Sequence, residues 1–74
     1  ITYQLNRTSN VNLAIFDLTG KEIMTLVKAR QAVGSYSVNW DGRDSQGALV
    51  PTGVYVYRIV AGDFNQSKKM VFVR

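Results

Sequence analysis

Residues 53–63 read Gly-Val-Tyr-Val-Tyr-Arg-Ile-Val-Ala-Gly-Asp, and this most hydrophobic run of the chain decides the fold. Its β-branched and aromatic residues are typical of strands. Apolar side chains occupy both alternating faces from Gly53 to Ala61, which predicts a central strand covered on both sides. The dipeptide Gly62-Asp63 then predicts a tight hairpin into a last strand, Phe64–Arg74.

A two-residue turn at that point also fixes how the last two strands pair. With an even-length turn, Tyr57 is expected to face Lys68 across the ladder, and Val56 is expected to face Lys69. The neighbouring lysines are therefore predicted to have different cross-strand partners.

Most other apolar segments are also short and end at Gly, Asn, Asp or Pro. Further strands are predicted at Ile1–Leu5, Val11–Asp17, Lys21–Val27 and Tyr36–Trp40. The connections are a polar turn at Asn6–Asn10, a weakly structured segment at Lys28–Val33 and a long loop at Asp41–Thr52 with room for one edge strand. This pattern predicts an all-β fold, a small immunoglobulin-like antiparallel β-sandwich of six or seven strands, with a small open barrel as the alternative.

The length of the chain limits it to one small domain, because 74 residues bury only a thin core. The scaling of surface with mass predicts a folded surface of roughly 4,600 Å². Trp40, Tyr55 and Ile59 lie at inward positions of their strands and are the expected core residues. Residues 1–74 are interpreted as a single module of a longer protein, because the chain opens at Ile1 without a methionine or a signal-like stretch.

The composition offers few groups for chemistry. No histidine or cysteine is present, which removes imidazole bases, thiolates, disulfides and the usual zinc or haem ligands. No Ser-x-x-Lys or Gly-x-Ser-x-Gly motif supplies a nucleophile. We therefore expect no enzyme activity, no catalytic residue and no cofactor.

The only close pair of acids, Asp41 and Asp44, lies in the loop that follows Trp40. The pair raises the question of calcium, but Arg43 and Gln46 do not fit the pattern of oxygen ligands in an EF-hand loop. The favoured interpretation is that both carboxylates hold the turn through Asx-type hydrogen bonds and that Arg43 pairs with one of them. The sequence assigns no metal site and leaves calcium binding open. The predicted turn residues are Asp17, Gly20, Asp41, Gly42, Asp44, Gly47 and Gly53.

The net charge of +4 is spread along the chain. A nucleic-acid-binding protein more often shows a basic stripe with exposed aromatic residues, and that pattern is missing here. No apolar run has the length of a membrane helix. Nucleic acid and membrane insertion are therefore not expected, and proteins are the expected partners.

Four fragments of the chain carry a resemblance to known families. They are Ile15–Ile23, Gly34–Asp44, Val50–Ile59 and the closing Ser67–Arg74. Together they resemble the immunoglobulin-like domain of flagellar hook-capping proteins, and even more closely the C-terminal sorting domains of type IX secretion cargo. In one respect the chain departs from those families, whose members usually carry a proline- and asparagine-rich segment before the strand that matches Ile1–Leu5.

The resemblance implies a non-catalytic C-terminal sorting or anchoring module. Such a module directs a larger cargo protein through type IX secretion to the cell surface or medium of a Gram-negative bacterium. The partners are then the secretion machinery or neighbouring protein domains. The implied recognition residues form the final strand: Lys68, Lys69, Met70, Val71, Phe72, Val73 and Arg74.

The alternative function is structural: a β-sandwich subunit or spacer of an extracellular or surface assembly, such as a filament or lattice. Edge strands would pair such subunits, because an open edge presents unpaired backbone groups to another chain. The candidate edges for self-association are Ile1–Leu5 and Phe64–Arg74.

Overall fold

The computed structural model describes residues 1–74 and contains six β-strands, as the all-β prediction requires. None of the chain forms a helix of the length and apolarity needed to cross a membrane. The strands are β1 (Thr2–Leu5), β2 (Ser9–Phe16), β3 (Glu22–Gln31), β4 (Gly34–Ser37), β5 (Gly53–Ala61) and β6 (Phe64–Phe72).

Two antiparallel sheets form the predicted sandwich. The larger sheet has the strand order β3-β2-β5-β6, and the smaller sheet pairs β1 with β4. Tyr55 and Ile59 of β5 are buried, but on the opposite face Val54 is 39% exposed and Arg58 is exposed. The prediction of cover on both sides of β5 is therefore wrong, because the small second layer covers only one face of the larger sheet.

The hairpin of β2 and β3 is longer and less regular than predicted. β3 continues to Gln31, so most of the expected connection Lys28–Val33 is strand. The register shifts twice, between Leu13 and Ala14 and between Ile15 and Phe16. Each shift adds a residue on the β3 side, and such bulges break the alternation of side chains between faces.

The strand predicted at Tyr36–Trp40 is shifted towards the N-terminus. β4 spans Gly34–Ser37 and pairs in register with β1. Ile1 and Val38 extend this ladder with two backbone hydrogen bonds of 2.8 Å. Trp40 lies beyond the strand because the chain turns there into the loop that covers the other end of the sandwich.

The loop at Asp41–Thr52 forms no further strand of its own. Arg43 and Leu49 make a single isolated bridge across it. Val50 is buried and its N–H donates to the carbonyl of Gly42 at 2.8 Å. The loop is therefore an ordered cap of the sandwich.

The β5–β6 hairpin follows the predicted register. Tyr57 faces Lys68 and Val56 faces Lys69, as the turn length predicted. Gly62 has a φ of 61°, and the residue that follows it has a negative φ, which is the pattern of a type II′ turn. β6 ends at Phe72, two residues short of the predicted end.

The core is thin, with 12 of 74 residues buried and a total accessible surface of 4988 Å². One buried cluster lies at the β1 end: Tyr3, Leu5, Val11, Leu13, Ile59 and Ala61. A smaller one lies at the loop end: Ile15, Val50 and Tyr55. Tyr57 and Leu26 pack against both clusters and make them continuous.

Candidate interaction surface

Asp41 and Asp44, the close pair of acids in the sequence, both accept backbone hydrogen bonds within the loop that follows Trp40. Asp41 Oδ1 accepts the N–H of Arg43 at 3.2 Å, and Asp44 Oδ1 accepts the N–H groups of Gln46 and Ala48 at 2.9 and 3.0 Å. The guanidinium of Arg43 lies 3.8 Å from the other oxygen of Asp41 and donates to a loop carbonyl. No cluster of three acidic side chains is present in the structure. Both carboxylates therefore serve the loop backbone.

Asp17 holds the β2–β3 turn in the same way. Its Oδ1 accepts the hydroxyl of Thr19 at 2.6 Å and the N–H groups of Thr19 and Lys21 at 2.9 and 3.0 Å. These hydrogen bonds, the Thr19 hydroxyl first, favour the ionised form and lower the pKa of Asp17. Gly20 closes the turn with a φ of 89°.

An aromatic clamp, formed by Trp40, Tyr55 and Phe72, joins the loop to the last strand. The ring of Trp40 lies 5.2 Å from that of Tyr55 and 5.3 Å from that of Phe72, measured between centroids. Its Nε1 donates to the carbonyl of Arg43 at 2.9 Å. Trp40 is thus half-buried at the loop end, whereas Ile59 belongs to the cluster at the β1 end.

The final strand combines anchored and exposed residues. Met70 and Phe72 are half-buried and pack against the loop-end cluster, while Val71 and Val73 are each 70% exposed. The backbone N–H of Arg74 donates to Thr52 Oγ1 at 3.0 Å, which fixes the end of the chain. The seven residues implied by the resemblance therefore divide into core anchors and free surface.

Lys68 and Lys69 lie on opposite faces of the larger sheet. Lys68 pairs with Tyr57 on the core side, and Lys69 pairs with Val56 on the outer side. Both lysines are exposed. A flat partner docked on one face of the larger sheet would therefore contact only one of the two lysines.

The outer face of the larger sheet is the feature that the sequence interpretation missed. Its members follow from register with Asn10, Asn12, Ala14 and Phe16, which alternate along β2 with the core residues Val11, Leu13 and Ile15. Ala14 is the one member of this set that is itself buried, at 2% exposure. Across the sheet this face carries Arg30, Lys28, Thr25 and Glu22 of β3, Val60, Arg58, Val56 and Val54 of β5, and Asn65, Ser67, Lys69 and Val71 of β6. The sequence signal for this face is the row of three valines in β5, Val54, Val56 and Val60, but the sequence pattern predicted that a second layer covers them.

Four strands have an open edge, and these edges differ in length and in regularity. β1 and β4 have four residues each, and β3 carries two bulges. β6 is nine residues long and pairs with β5 without a register shift. Since bulges and short length protect an edge from pairing, β6 is the most regular open edge of the molecule.

Comparison with known protein families shows to which family the chain belongs. A family model for the FlgD Ig-like domain matches residues 1–63. The chain belongs to the FlgD Ig-like domain family. No curated protein and no solved structure matches the chain at a significant level.

Membership of the FlgD Ig-like family confirms the resemblance to flagellar hook-capping domains. The family is structural and non-enzymatic, and it relates the chain to the flagellar hook, which is a surface-associated structure. The closer resemblance to type IX sorting domains receives no support from the comparisons. The family match ends at Asp63, so β6 lies outside the matched residues of this FlgD-type domain.

Proposed function

We propose that this domain is a non-catalytic structural module, a β-sandwich subunit or spacer that joins an extracellular or surface assembly by pairing an edge strand with a neighbouring chain. The observation that carries the proposal is the open edge of β6, which is long, regular and exposed from Phe64 to Lys69. Family membership supports a structural role in a surface-associated setting. Another copy of the chain or a neighbouring domain is the proposed partner.

The geometry of the hairpin indicates which backbone groups face the neighbour. Residues that flank a two-residue hairpin turn exchange hydrogen bonds, and antiparallel pairs then alternate between bonded and non-bonded. Starting from the pair of Ala61 and Phe64, the alternation directs the backbone N–H and C=O groups of Asn65, Ser67 and Lys69 away from β5. These groups form the proposed pairing edge.

The lysines of β6 act against non-specific pairing, since edge lysines are a common guard against aggregation. The net charge of +4 also makes two copies repel each other at low salt. Pairing between copies is therefore expected at physiological ionic strength, where charges are screened beyond about 8 Å, and at high concentration.

Sedimentation velocity tests the proposal with two proline variants. Ser67→Pro removes an outward N–H and leaves the ladder with β5 intact, because edge strands accept proline where the N–H faces solvent. We expect the wild-type chain to associate as concentration rises and Ser67→Pro to stay monomeric while folded. Gln66→Pro removes a ladder hydrogen bond and is the matched control, with a lower unfolding temperature expected. A wild-type chain that is monomeric at every concentration rejects pairing between copies.

The second candidate function is the sorting role in type IX secretion from a Gram-negative bacterium. It is favoured by one observation: the exposed Val71 and Val73 of the closing segment, at 70% each. Deleting the last residues would be a poor test, since Met70 and Phe72 pack against the core. A reporter fusion with Val71→Ser and Val73→Ser keeps both anchors. Retention of that fusion in the periplasm is expected if the segment is a sorting signal, and normal surface delivery counts against it.

A further inference from the structure

The outer face of the larger sheet combines uncovered apolar residues with unpaired cations. Phe16, Val56 and Val60 are half-buried there, Val54 is 39% exposed and Val71 is 70% exposed. A run of β-branched residues along the middle of a sheet is what a covered strand carries. In this structure no other layer of the chain covers it.

The cations of this face flank and interrupt the apolar stripe: Lys28 and Arg30 lie on β3, Lys69 lies on β6, and Arg58 lies on β5 between Val56 and Val60. Lys28 and Arg30 line a shallow groove of about 350 Å³ at one end, with Val60 between the strands. Arg58 and Lys69 line a second groove of about 490 Å³ at the other end, beside Phe16 and Val56. Both grooves therefore combine apolar side chains with two positive charges, and the second groove also contains the carboxylate of Asp17.

Two acids, Glu22 and Asp17, offset part of the positive charge of this face but leave it with a surplus of cations. Glu22 faces Phe16 across the ladder, and Asp17 lines the second groove. The Asp17 carboxylate already accepts three hydrogen bonds from its own turn. The single ion pair of the chain within 4.0 Å is that of Arg43 with Asp41 in the loop. None of the four cations of the face is therefore held in an ion pair, although the guanidinium of Arg58 also lies over the ring of Phe16.

We infer that the outer face docks an acidic, amphipathic protein segment, whose apolar side chains cover the valine stripe while its carboxylates pair with Lys28, Arg30, Arg58 and Lys69. This inference goes beyond edge pairing and does not depend on it. Charge complementarity selects the partner, because opposite potentials steer association and exclude partners of like charge. A second copy of the chain, with the same net charge of +4, is disfavoured.

Nucleic acid fits the face less well than an acidic protein segment does. Binding of single strands relies on aromatic platforms on which bases stack. The one aromatic residue of the face, Phe16, has the guanidinium of Arg58 over its ring at 4.9 Å from the centroid. The ring is therefore already occupied, and the exposed valines provide no stacking surface.

The size of the face sets the expected strength of binding. Four strands spaced about 4.8 Å apart and nine residues that rise about 3.3 Å each give a face of about 14 by 30 Å. That area, about 420 Å², is half of what each partner contributes to a stable interface, about 800 Å². Binding is therefore expected to be weak and transient, and strongly dependent on salt.

The test uses the two adjacent lysines of β6 as matched positions. The probe is a twelve-residue peptide of alternating glutamate and valine, titrated into the isotopically labelled chain and followed by backbone amide shifts. We expect shifts on the outer face and an affinity that falls about tenfold in Lys69→Glu. Lys68→Glu makes the same change in net charge on the opposite face and is expected to alter the affinity less than about threefold, since it is remote from the docked peptide.

Several outcomes would overturn the inference. One is an equal loss of peptide affinity in Lys69→Glu and Lys68→Glu. Such a result would mean that the peptide responds only to net charge or adds as a strand to the β6 edge. Others are the absence of shifts at millimolar peptide and equal binding of the counterpart peptide with lysine in place of glutamate. Tighter binding of a single-stranded oligonucleotide, or of vesicles containing phosphatidylglycerol, to the same face would assign the surface to those ligands instead.

Discussion

The ring of Phe72 lies directly against the backbone of Gly42, so that a Cβ at Gly42 would stand 2.0 Å from Phe72 Cζ. Gly42 also has a φ of 79°, in the left-handed region that favours glycine. The sequence predicts a turn at Gly42, and in the structure the backbone of that turn packs against the ring of Phe72 in the last strand. This contact, together with Trp40, fixes the C-terminal half of β6 while its N-terminal half stays exposed.

Gly42→Ala is expected to destabilise the domain by at least about 2 kcal/mol, because it combines backbone strain with overpacking against the ring. Gly47→Ala is the matched control. Gly47 has a φ of 84°, but a Cβ added there would meet no atom within 4 Å, so only the backbone strain of about 1 kcal/mol is expected. Urea unfolding followed by circular dichroism measures both. Equal losses would show that Phe72 does not constrain Gly42.

Replacement of Trp40 tests the aromatic clamp. Trp40→Ala is expected to cost about 3 kcal/mol, because it removes a large half-buried ring between Tyr55 and Phe72. Trp40→Phe keeps a ring but loses the hydrogen bond to Arg43, with an expected cost of about 1 kcal/mol. Thermal unfolding by circular dichroism gives both values. A Trp40→Ala variant that melts within a few degrees of wild type would mean that the indole is a surface group.

The two faces of β5 are expected to respond differently to truncation. Ile59 is 2% exposed, so Ile59→Ala is expected to cost about 3 to 4 kcal/mol. Val54 lies on the outer face at 39% exposure, and Val54→Ala is expected to cost less than about 1 kcal/mol. Chemical denaturation of each variant measures the difference. Similar losses at both positions would show that the outer face is covered in solution.

The carboxylate of Asp17 makes the stability of the folded domain depend on pH in the acidic range. Its pKa is lower in the folded chain than in the unfolded chain, because Thr19 and Lys21 donate hydrogen bonds to the ionised form. The ionised carboxylate therefore stabilises the folded domain at pH values above the pKa of Asp17 in the unfolded chain. This stabilisation is lost as the pH falls through the lower pKa of Asp17 in the folded chain. Thr19→Val removes the hydroxyl donor and is expected to raise the pKa of Asp17. An NMR titration of the Asp17 carboxyl carbon checks this, and an unchanged pKa in Thr19→Val would exclude the hydroxyl as the cause.

Much of the fold was readable from the sequence because the decisive signals are local. The Gly62-Asp63 turn fixed the β5–β6 register, and hydrophobic alternation identified the strands. Ile23, Leu26 and Val27 break strict alternation in the sequence, and the two bulges of β3 fall in that segment. Bulges permit neighbouring residues to contact the core, which alternation alone does not predict.

The candidate surfaces were harder to predict because they depend on which layer covers which face. The valines of β5 have the same pattern whether a second layer of the chain or a partner covers them. Likewise, the sequence places Lys68 and Lys69 together, whereas the pleat separates them onto opposite faces. Such properties follow from sheet topology and pairing, which a local pattern does not contain.

Amide hydrogen exchange along β6 tests the proposed edge pairing most directly. In dilute solution the amides of Asn65, Ser67 and Lys69 are expected to exchange quickly, because they face away from β5, while those of Gln66 and Lys68 are protected by the ladder. At concentrations where the chain associates, the outward amides are expected to become protected as well. Fast exchange of Asn65, Ser67 and Lys69 in the associated state would contradict pairing through the β6 edge.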